Sequence, residues 1–573
     1  MDVNQRVVNL ACSYEKCVKH KYVKKLKWLL RYQNVKPRFS NNDFITAWDN
    51  ITPPKCLLEA LKYGPLFAPA PLPTPEFIVP NIETIIKELN ITSQEYVRWE
   101  TRFSTAKERS ADIKSRQFHN CIKNAREWLH KNDVVLIKAD KSKRVVLIKR
   151  NSYNQKLQEY IRDTECKPAP DKYLESLQQR VKKFSSTPLA RYLRMHNSVV
   201  QAPRTPRIFA FGKTHKPDCH IHPVIEKCGS PTFAIEKQLV KFIRPRIQDY
   251  PYAINNSVQL VDKLRNINLE DNKVMTVMDF KSLFPSIKLP PCFCELRNFL
   301  LTNINNATKY HQHILELAHL ICYTSFFAFE GNTYLQERGV PMGSPISPLL
   351  CELVLRRLES NVLSVFINDI LVYARYVDDV FNIWRNDNSA QYFLNKMNNN
   401  PYGVTLSLEQ KSDTNVNFLD LSITCKYGEI WTHIYRKPSY LPIIIPKNSF
   451  DPHNFKNAAF RSWIKQAYTH CTSIVDTHRE LNNIRTIAVQ QGYRISEINA
   501  LIDKFCNQTN KQPITKSQGP RVVLNYIPFL QSMIKKVYHK NILRVIYRRN
   551  PTIYRILRND KKKGNRNNST GVT

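Results

Sequence analysis

Hydrophobic residues follow two different spacings along this chain. Apolar positions recur every three or four residues in segments 22–32, 455–467 and 495–505, which predicts amphipathic helices. Between residues 133 and 384, short runs of β-branched and other apolar residues alternate with turn residues, which predicts strands and hairpins. The pattern therefore predicts an α+β protein with a strand-rich middle part and helical flanks.

Several elements of the middle part can be placed individually. Residues 133–149 predict one hairpin around the turn 139–143, and residues 207–225 predict a second hairpin with a basic tip. Upstream of both, residues 64–80 contain six prolines and predict an extended connector, because proline fits neither a helix interior nor an inner strand. The other expected elements are a buried strand over 273–279, a long helix over 346–362, and a strand, tight turn and strand over 371–384.

The charge of the chain is strongly positive along its whole length. Its 573 residues include 86 Lys and Arg against 48 Asp and Glu, which gives a formal net charge of +38. Such a charge attracts polyanions, of which nucleic acid is the commonest. Charge alone favours an enzyme that acts on nucleic acid and a protein that merely coats phosphate about equally.

Membrane proteins and zinc-finger proteins are disfavoured by the sequence. No run of about 18 apolar residues is present, so no membrane partner is expected, and the polar N-terminus lacks the apolar core of a secretory signal. The 14 cysteines include no C-x-x-C pair, and we expect reduced thiols in the cytosol or nucleus. Cys219, His220, His222 and Cys228 are close in sequence, but their spacing does not fit a zinc finger.

Two adjacent acids occupy the tip of the predicted strand, turn and strand. Asp378 and Asp379 follow Tyr376 and Val377 between two apolar runs. Burying neighbouring carboxylates is costly unless a cation neutralises them, and Mg²⁺ prefers such hard oxygen ligands. The alternative is a turn in which aspartate simply suits the backbone.

A third acid, Asp279, ends the predicted strand over 273–279. A two-metal polymerase needs acids from separate strands to hold ions roughly 3.5–4 Å apart, and Asp279 would supply the second strand. The alternative is a helix N-cap. Five residues later, the ring of Phe284 is placed to exclude a ribose 2′-hydroxyl and so select deoxynucleotides, the alternative being a core phenylalanine.

A loop rich in glycine and proline lies between these acids. Residues 339–350 contain Gly339, Gly343 and three prolines ahead of a helix, which suits close contact of the backbone with a template base and a nucleotide. A plain entry into the helix is the alternative. Positions 279, 343 and 378 are 64 and 35 residues apart, and their joint occurrence in a chain of charge +38 is more specific than any one of them.

With these motifs in order, the sequence resembles the reverse transcriptases of Penelope-like elements. Asp279 with Phe284 resembles motif A of that family, residues 339–350 resemble motif B, and residues 376–379 resemble motif C. The likeness extends over most of the chain. Further segments that resemble the family are 138–141, 206–217, 229–232, 417–420 and 435–438.

The resemblance implies a right-hand polymerase with fingers, palm and thumb, a basic helical N-terminal extension, and kinship with telomerase. It assigns Asp279, Asp378 and Asp379 to catalysis and to binding of Mg²⁺, or of Mn²⁺ in its place. The implied partners are an RNA template, a DNA primer or target DNA, and dNTPs, in the nucleus, while the oligomeric state is left open. The implied nucleotide-binding residues are Phe280, Phe284, Lys213, Lys216, Gly343 and Ser344.

The resemblance and the patterns together predict five regions. The basic helices after Trp431 are expected to hold a template–primer duplex by its phosphates. The regions are an N-terminal basic extension with the proline-rich connector (1–80), a helical segment with the fingers (81–270), a palm with motifs A, B and C (271–430), a helical thumb (431–555) and a disordered basic tail (556–573).

Two departures from the family pattern carry expectations of their own. The family places an arginine in the fingers where this chain has His222, and a neutral histidine cannot grip phosphate bidentately, so nucleotide affinity is expected to be weaker unless Lys213 or Lys216 compensates. Many relatives continue into a GIY-YIG nuclease domain, whereas this sequence stops at Thr573. We therefore expect an endonuclease-deficient or truncated relative that uses a pre-existing 3′ end.

The expected function is that of an RNA-directed DNA polymerase of a retrotransposon. The alternative is a catalytically weakened or domesticated reverse transcriptase that acts as a nucleic-acid-binding protein. The three acids favour the first and His222 favours the second. An RNA-templated RNA polymerase is opposed by Phe284, and a group II intron maturase fits motifs A to C but fits segment 206–217 less well.

Overall fold

Helices and strands are mixed throughout the chain, which confirms the predicted α+β class. Residues 1–40, with the predicted helix over 22–32, lie outside the described residues, as do residues 72–80 of the connector predicted over 64–80. The structure is a computed structural model, and apart from a few single positions it describes residues 41–71, 113–214, 219–265, 273–385, 389–426, 428–508, 521–528 and 544–560.

The first described part of the chain builds a small three-stranded sheet with its helices. Its elements are a 3₁₀ helix (Asn41–Phe44), β1 (Ile45–Ala47), α1 (Lys55–Leu61), α2 (Ile113–Lys131), β2 (Val134–Lys138), β3 (Val145–Lys149) and α3 (Arg150–Asp163). Strand β3 lies in the middle, antiparallel to β2 and parallel to β1. The hairpin predicted over 133–149 is thereby confirmed, and its strands are continuous apolar runs because both of their faces are buried.

A second hairpin follows in the next part of the chain. The elements are β4 (Lys167–Pro168), α4 (Tyr173–Phe184), α5 (Pro188–Tyr192), a 3₁₀ helix (Met195–Ser198), β5 (Arg207–Gly212), β6 (Ile221–Glu226) and α6 (Phe233–Ile243). Strands β5 and β6 are antiparallel, with Gly212 opposite Ile221, which confirms the predicted hairpin. Its tip, 215–218, lies outside the described residues.

The middle of the chain supplies a central four-stranded sheet. Its spatial order is Ile370–Tyr376 (β10), Asp379–Trp384 (β11), Val274–Phe280 (β7) and Leu406–Ser412 (β12), and neighbouring strands are antiparallel. The strands Phe326–Phe329 (β8) and Asn332–Leu335 (β9) join β5 in a separate five-stranded sheet. The strand, the long helix and the strand–turn–strand predicted here are confirmed. The elements are a 3₁₀ helix (Arg244–Arg246), α7 (Ser257–Leu264), β7 (Val274–Phe280), α8 (Leu283–Ser286), α9 (Leu289–Asn303), a 3₁₀ helix (Asn305–Tyr310), α10 (His311–Tyr323), β8 (Phe326–Phe329), β9 (Asn332–Leu335), α11 (Ser347–Leu363), β10 (Ile370–Tyr376), β11 (Asp379–Trp384), α12 (Ser389–Asn398) and β12 (Leu406–Ser412).

The last part of the chain is helical, as predicted, but also contains strands. Its elements are β13 (Asn415–Phe418), β14 (Leu421–Lys426), β15 (Glu429–Ile434), α13 (His453–Lys456), α14 (Ala458–His470), α15 (Ile474–Gln490), α16 (Ile495–Gln508), β16 (Arg521–Asn525), β17 (Arg544–Arg548) and α17 (Ile553–Leu557). Helix α17 crosses the domain boundary expected at residue 555. Leu557 is buried, so residues 556–560 belong to the folded part and not to a disordered tail.

Both faces of the central sheet are covered. Because successive side chains of a strand point to opposite faces, Met275 and Val277 of β7 pack on one side and Met278 and Phe280 on the other. Helix α7 with β13 and β14 covers the first side, and α9, α10, α11 and α12 cover the second. The sheet is thereby held rigidly between two cores.

The end of the described chain returns to the first sheet. Ile553 and Leu557 of α17 pack in one core with α1, α2, β2 and β3. The side chain of Asn559 accepts a hydrogen bond from the amide of Leu136 at 2.8 Å and donates one to the carbonyl of Val134 at 2.7 Å. None of the described helices is long and apolar enough to cross a membrane.

Candidate active site

Two neighbouring strands of the central sheet carry the three acids. Asp279 on β7 lies directly opposite Asp379 on β11, and the amide of Phe280 donates to the carbonyl of Asp378 at 3.0 Å. One carboxylate oxygen from each of the three acids lies within 4.8 Å of the others. The antiparallel register thus brings together residues that are about a hundred positions apart in the chain.

Two of these acids, Asp279 and Asp379, have carboxyl groups with raised pKa values. Burial, and then the neighbouring charge of Asp378, raises the pKa of Asp279 to about 6, while Lys141 and Lys437 act in the opposite direction. Burial, and then Asp378 and Asp279, raises the pKa of Asp379 to about 6 as well. A divalent cation would remove this repulsion, and three carboxylates are the donor set that Mg²⁺ or Mn²⁺ prefers. The residues therefore fit the implied metal.

The turn between β10 and β11 has an unusual backbone. Val377 has φ 57°, in the left-handed region that β-branched residues rarely adopt. Beneath the turn, the buried side chain of Arg375 donates to the carbonyl of Val377 at 3.2 Å and is paired with Glu352 and Glu359 of α11. Motif spacing in the sequence does not point to this ion-pair network.

Phe284 lines a cavity that reaches Tyr376 and Val377, the two residues before Asp378. Its half-buried ring packs partly against the main core, and with Tyr376 and Val377 it lines a cavity of about 1020 Å³. Its carbonyl accepts a hydrogen bond from the amide of Val340 at 2.9 Å. A Cβ atom at Gly339 would lie 2.5 Å from that carbonyl, so glycine is needed for the loop to approach this closely.

The same loop is fastened to the second hairpin. Gly343 has φ 70°, and a Cβ atom there would lie 2.3 Å from the carbonyl oxygen of Ile225 on β6. Ser344 is buried, and its hydroxyl donates to Glu236, whose other carboxylate oxygen is 2.7 Å from the ammonium of the buried Lys227. The hydroxyl of Ser344 is therefore engaged by the protein, which argues against its predicted contact with a nucleotide.

Phe280 is a core residue. Its side chain is 1 % exposed and faces the side of the sheet covered by α9 to α12. The prediction that Phe280 contacts the nucleotide is therefore wrong for its side chain, because the ring is enclosed by apolar neighbours. Its backbone amide contributes instead by holding the carbonyl of Asp378.

Of the two predicted phosphate-binding lysines, the structure describes Lys213, which directly follows β5 of the second hairpin. Lys213 donates its amide to the carbonyl of His220 at 2.7 Å, and Lys216 lies outside the described residues. Loss of hydration is the main influence on the pKa of His222 and lowers it; Asp140 counteracts this, and Lys213 adds to it. His222 is therefore neutral at neutral pH, as the sequence analysis assumed.

Two further lysines act on the acids, although motif spacing does not single them out. Lys141 occupies the left-handed turn of the first hairpin with φ 55°, and Lys437 follows β15. Both are exposed and lower the pKa of Asp279. The available sequence signal was that each lies in a segment, 138–141 or 435–438, that resembles the family.

Comparison with known proteins finds two family matches. Residues 230–412 match the model of the family described as Reverse transcriptase (RNA-dependent DNA polymerase), and residues 443–503 match the Animal helix-turn-helix domain. The first match includes all three acids and, together with the mixed helices and sheets of the structure, confirms the predicted right-hand polymerase fold. The second match covers α13 to α15 and most of α16, and the sequence patterns did not predict it.

Individual proteins match over shorter stretches or at low similarity. The retron Ec73 reverse transcriptase of Escherichia coli is 31% identical over 116 residues, which is 19% of this chain and 32% of that protein, so the likeness spans about a third of the relative. Telomerase from Candida albicans in complex with a TWJ fragment of telomeric RNA is 10% identical with TM-score 0.45, over 69% of this chain and 67% of that one. Apo telomerase from Candida tropicalis is 11% identical with TM-score 0.41, over 69% of this chain and 72% of that one. These two structural likenesses do not by themselves assign a function.

Proposed function

Because residues 230–412 form a reverse transcriptase domain, we propose that this chain is an RNA-directed DNA polymerase that extends a 3′ end along an RNA template. The observation that carries the proposal is the cluster of Asp279, Asp378 and Asp379 on adjacent strands within that domain. Three carboxylates this close are unfavourable unless they bind a cation. A nucleotidyl transferase is the enzyme class that needs such a cluster next to a nucleic-acid substrate.

The three acids are proposed to hold Mg²⁺, or Mn²⁺ in its place. When bound, such ions activate the 3′-hydroxyl and offset the charge on the leaving pyrophosphate. Strands β7 and β11 fix the separation of Asp279 and Asp379, since the two residues are direct register partners. The two cores that enclose the sheet keep these side chains in place before substrate binds, which lowers the reorganisation that the reaction requires.

The incoming nucleotide is proposed to lie between the acids and the two hairpins. Lys141 and Lys213 bring positive charge to the side where a triphosphate would bind, and neutral His222 adds none. Phe284, at the edge of the cavity beside Tyr376, is proposed to select dNTPs by excluding a ribose 2′-hydroxyl. Selection of this kind is steric, so it depends on the volume of the ring and not on its charge.

The region over 443–503 is proposed to hold the RNA template and the DNA primer or target DNA. Helices α14 and α15, joined by a short turn, belong to the match with a helix–turn–helix domain. Arg461 and Lys465 are exposed on α14 and are proposed to contact phosphate, although Arg461 also donates to the carbonyl of Asn454 at 3.2 Å. Contacts of this kind make affinity for nucleic acid depend strongly on salt.

We also propose the kind of genetic element that encodes this chain and its location in the cell. Segments such as 206–217 and 435–438 support membership of a Penelope-like retrotransposon, and copying of an element into a genome supports a nuclear location. A fluorescent fusion of the full chain that stays out of the nucleus of its host cells would contradict the location.

A primer-extension assay tests the proposed activity. Purified protein is given an RNA template with an annealed DNA primer, Mg²⁺ and either dNTPs or NTPs, beside the variant Asp378→Ala. We expect extension with dNTPs that is lost in the variant, by a factor of about a thousand or more, because the cluster then lacks one of its three ligands. Extension with NTPs alone would instead indicate an RNA polymerase.

A nucleic-acid-binding protein on the same scaffold is the second candidate, and the observation that favours it is the neutral His222. In that case the wild-type chain binds the duplex but does not extend the primer. The variant His222→Arg then distinguishes a weakened nucleotide site from a lost activity, since restored extension shows that only phosphate binding was deficient.

A further inference from the structure

A buried arginine lies directly beneath the turn that carries two of the acids. The side chain of Arg375 is 1 % exposed, and a guanidinium buried to this extent is costly unless it is paired. Its Nε donates to Glu359 Oε1 at 2.5 Å, its Nη2 to Glu359 Oε2 at 3.1 Å, and its Nη1 to Glu352 Oε2 at 2.9 Å. The fully buried Glu359 also accepts from the hydroxyl of Tyr373 at 2.7 Å.

The main chain of Arg375 is held as firmly as its side chain. Its amide donates to the carbonyl of Tyr252 at 2.8 Å, and its carbonyl accepts from the amide of Ile254 at 2.8 Å. On the other side, Arg375 pairs with Val380 in the hairpin of β10 and β11. The residue is therefore fixed by the sheet, by the loop over 252–254 and by helix α11.

From this fixed position the guanidinium reaches the turn. Its Nη1 donates to the carbonyl of Val377 at 3.2 Å. Val377 has a left-handed backbone and an exposed side chain, so neither its conformational preference nor its packing keeps it there. A β-branched residue remains left-handed only where its surroundings impose that conformation, and this hydrogen bond is one such constraint.

We propose that Arg375 is a positioning residue that holds Asp378 and Asp379 against Asp279 through the carbonyl of Val377. The inference rests on the proposed function, since it explains how the metal-binding geometry is kept. Glu352 and Glu359 link this geometry to helix α11, which begins directly after the loop over 339–346. A shift of that helix therefore moves the acids, although no residue of α11 belongs to the acid cluster.

Two kinds of variant distinguish a positioning role of Arg375 from a role in folding alone: one keeps the positive charge, and the other removes the buried charges. Arg375→Lys keeps a cation next to the two glutamates but lacks the planar fork that also reaches Val377. The pair Arg375→Met with Glu359→Gln removes the buried charges together, so that neither is left unpaired. Arg549→Met is the matched control, because it breaks another arginine pair with a buried acid, Asp451, in a different part of the molecule.

Binding of Mn²⁺ to the protein without nucleic acid is the decisive measurement. Free Mn²⁺ is followed by electron paramagnetic resonance, and folding is checked by circular dichroism. We expect Arg375→Lys, and the paired variant, to bind Mn²⁺ about ten- to a hundredfold more weakly, as is typical when a group that orients a metal ligand is lost. Arg549→Met is expected to lower the unfolding temperature while leaving Mn²⁺ affinity unchanged.

Folded Arg375 variants that bind Mn²⁺ like the wild type would overturn the proposal. If both fail to fold, Tyr373→Phe takes their place, since it removes one hydrogen bond to Glu359 and no charge. It is expected to weaken Mn²⁺ binding about threefold, which is the effect of losing one neutral hydrogen bond with a small free-energy contribution. Unchanged Mn²⁺ binding would again overturn the proposal.

Activity separates this inference from the proposed function. If the wild type extends primers, Arg375→Lys is expected to lower kcat while the KM for dNTP stays nearly constant, because the metal ligands and not the nucleotide contacts are displaced. If the wild type does not extend primers but Arg375→Lys still weakens Mn²⁺ binding, the polymerase function fails and the positioning role stands.

Discussion

At the scale of single residues, the acid cluster makes the metal-free protein sensitive to pH. The pKa of Asp279 rises from its ordinary value of 3.8 to about 6, chiefly through burial and then through Asp378. The folded chain therefore binds a proton here more readily than the unfolded chain, and its stability falls as pH rises from about 4 to about 6. Above that window the destabilisation is fully present.

Asp279→Asn is expected to stabilise the metal-free protein at about pH 7.5 and to change little at about pH 4, where the wild-type carboxyl is also uncharged. Because Asp279 is only partly buried, solvent screening limits the gain to the order of 1 kcal/mol. Thermal unfolding followed by circular dichroism measures it, with the exposed Asp163→Asn as control. Added Mg²⁺ should then stabilise the wild type more than Asp279→Asn. A variant less stable than the metal-free wild type at about pH 7.5 would contradict the electrostatic explanation.

A second prediction concerns the choice of sugar at Phe284. Phe284→Ala opens space beside Tyr376 in the cavity. Because the ring would no longer exclude a 2′-hydroxyl, the preference for dNTP over NTP in kcat/KM is expected to fall by about tenfold or more. The measurement compares both substrates in primer extension. Phe455→Ala, at an exposed phenylalanine of α13, is the control and should keep the wild-type preference. An unchanged preference in Phe284→Ala would show that another group selects the sugar.

Phe280 and Phe284 show which site assignments the sequence alone can support. Both follow Asp279 closely, and the family resemblance assigns both to the nucleotide. Successive side chains of β7 point to opposite faces of the sheet, so Phe280 faces away from the side that Asp279 faces, and its ring lies in the core. Strand periodicity was sufficient to exclude Phe280. The engagement of Ser344 by Glu236, in contrast, depends on a helix more than a hundred positions away and has no local signal.

At the scale of elements, the chain's hairpins were predictable and its distant strand pairs were not. The hairpin of β2 and β3 and that of β10 and β11 are local, so apolar runs around turn residues were enough to place them. Strand β1 pairs in parallel with β3 about a hundred positions later, and β16 pairs in parallel with β17. Parallel pairs need long connections, so neither leaves a pattern in a short window of sequence.

The loop between the acids contains Gly343, which can be compared with Gly331 in the turn between β8 and β9. Gly343 and Gly331 have similar left-handed backbones, φ 70° and 88°, but a Cβ atom would meet the carbonyl of Ile225 at 2.3 Å in the first case and nothing within 4 Å in the second. Both alanine variants carry backbone strain of about 1 kcal/mol or more. Only Gly343→Ala must also push β6 away from the loop.

We therefore expect Gly343→Ala to destabilise the protein by roughly 1–3 kcal/mol more than Gly331→Ala, the range for overpacking of a tight contact. Urea unfolding measures the difference. Gly343→Ala should also raise the KM for dNTP, because the loop and the second hairpin enclose the proposed nucleotide site. Equal destabilisation by the two variants would mean that the loop is free to move away from Ile225.

At the scale of the whole molecule, three segments that are far apart in sequence, 66–68, 449–451 and 549–553, meet in one place. Arg549 donates to the buried Asp451 at 2.7 Å, and the hydroxyl of Ser449 accepts from the amide of Ala68 at 2.8 Å while donating to Asp451 at 2.6 Å. The amide of Ile553 donates to the carbonyl of Phe67 at 2.8 Å. The helical region after Trp431 is thus connected to the first sheet through the last described segment, whose residues 556–560 were expected to belong to a disordered tail.

The segment over 549–560 is expected to stabilise the first sheet, although it lies far from it in sequence. Ile553 and Leu557 are fully buried in its core, and burial of each such side chain contributes about 1.5–3 kcal/mol. Asn559 also satisfies the amide of Leu136 and the carbonyl of Val134, which would otherwise remain open on the edge of β2.

A chain that ends at residue 548 is therefore expected to expose the hairpin of β2 and β3 to protease and to faster amide hydrogen exchange, with a lower unfolding temperature. A chain that ends at residue 560 keeps every contact named above and serves as the control. Mn²⁺ binding by the three acids should persist in both, since the central sheet has its own two cores. Identical exchange in the two truncated chains would show that the first sheet is stable without the last helix. Loss of Mn²⁺ binding in the shorter one alone would show that the last helix also supports the acid cluster at a distance.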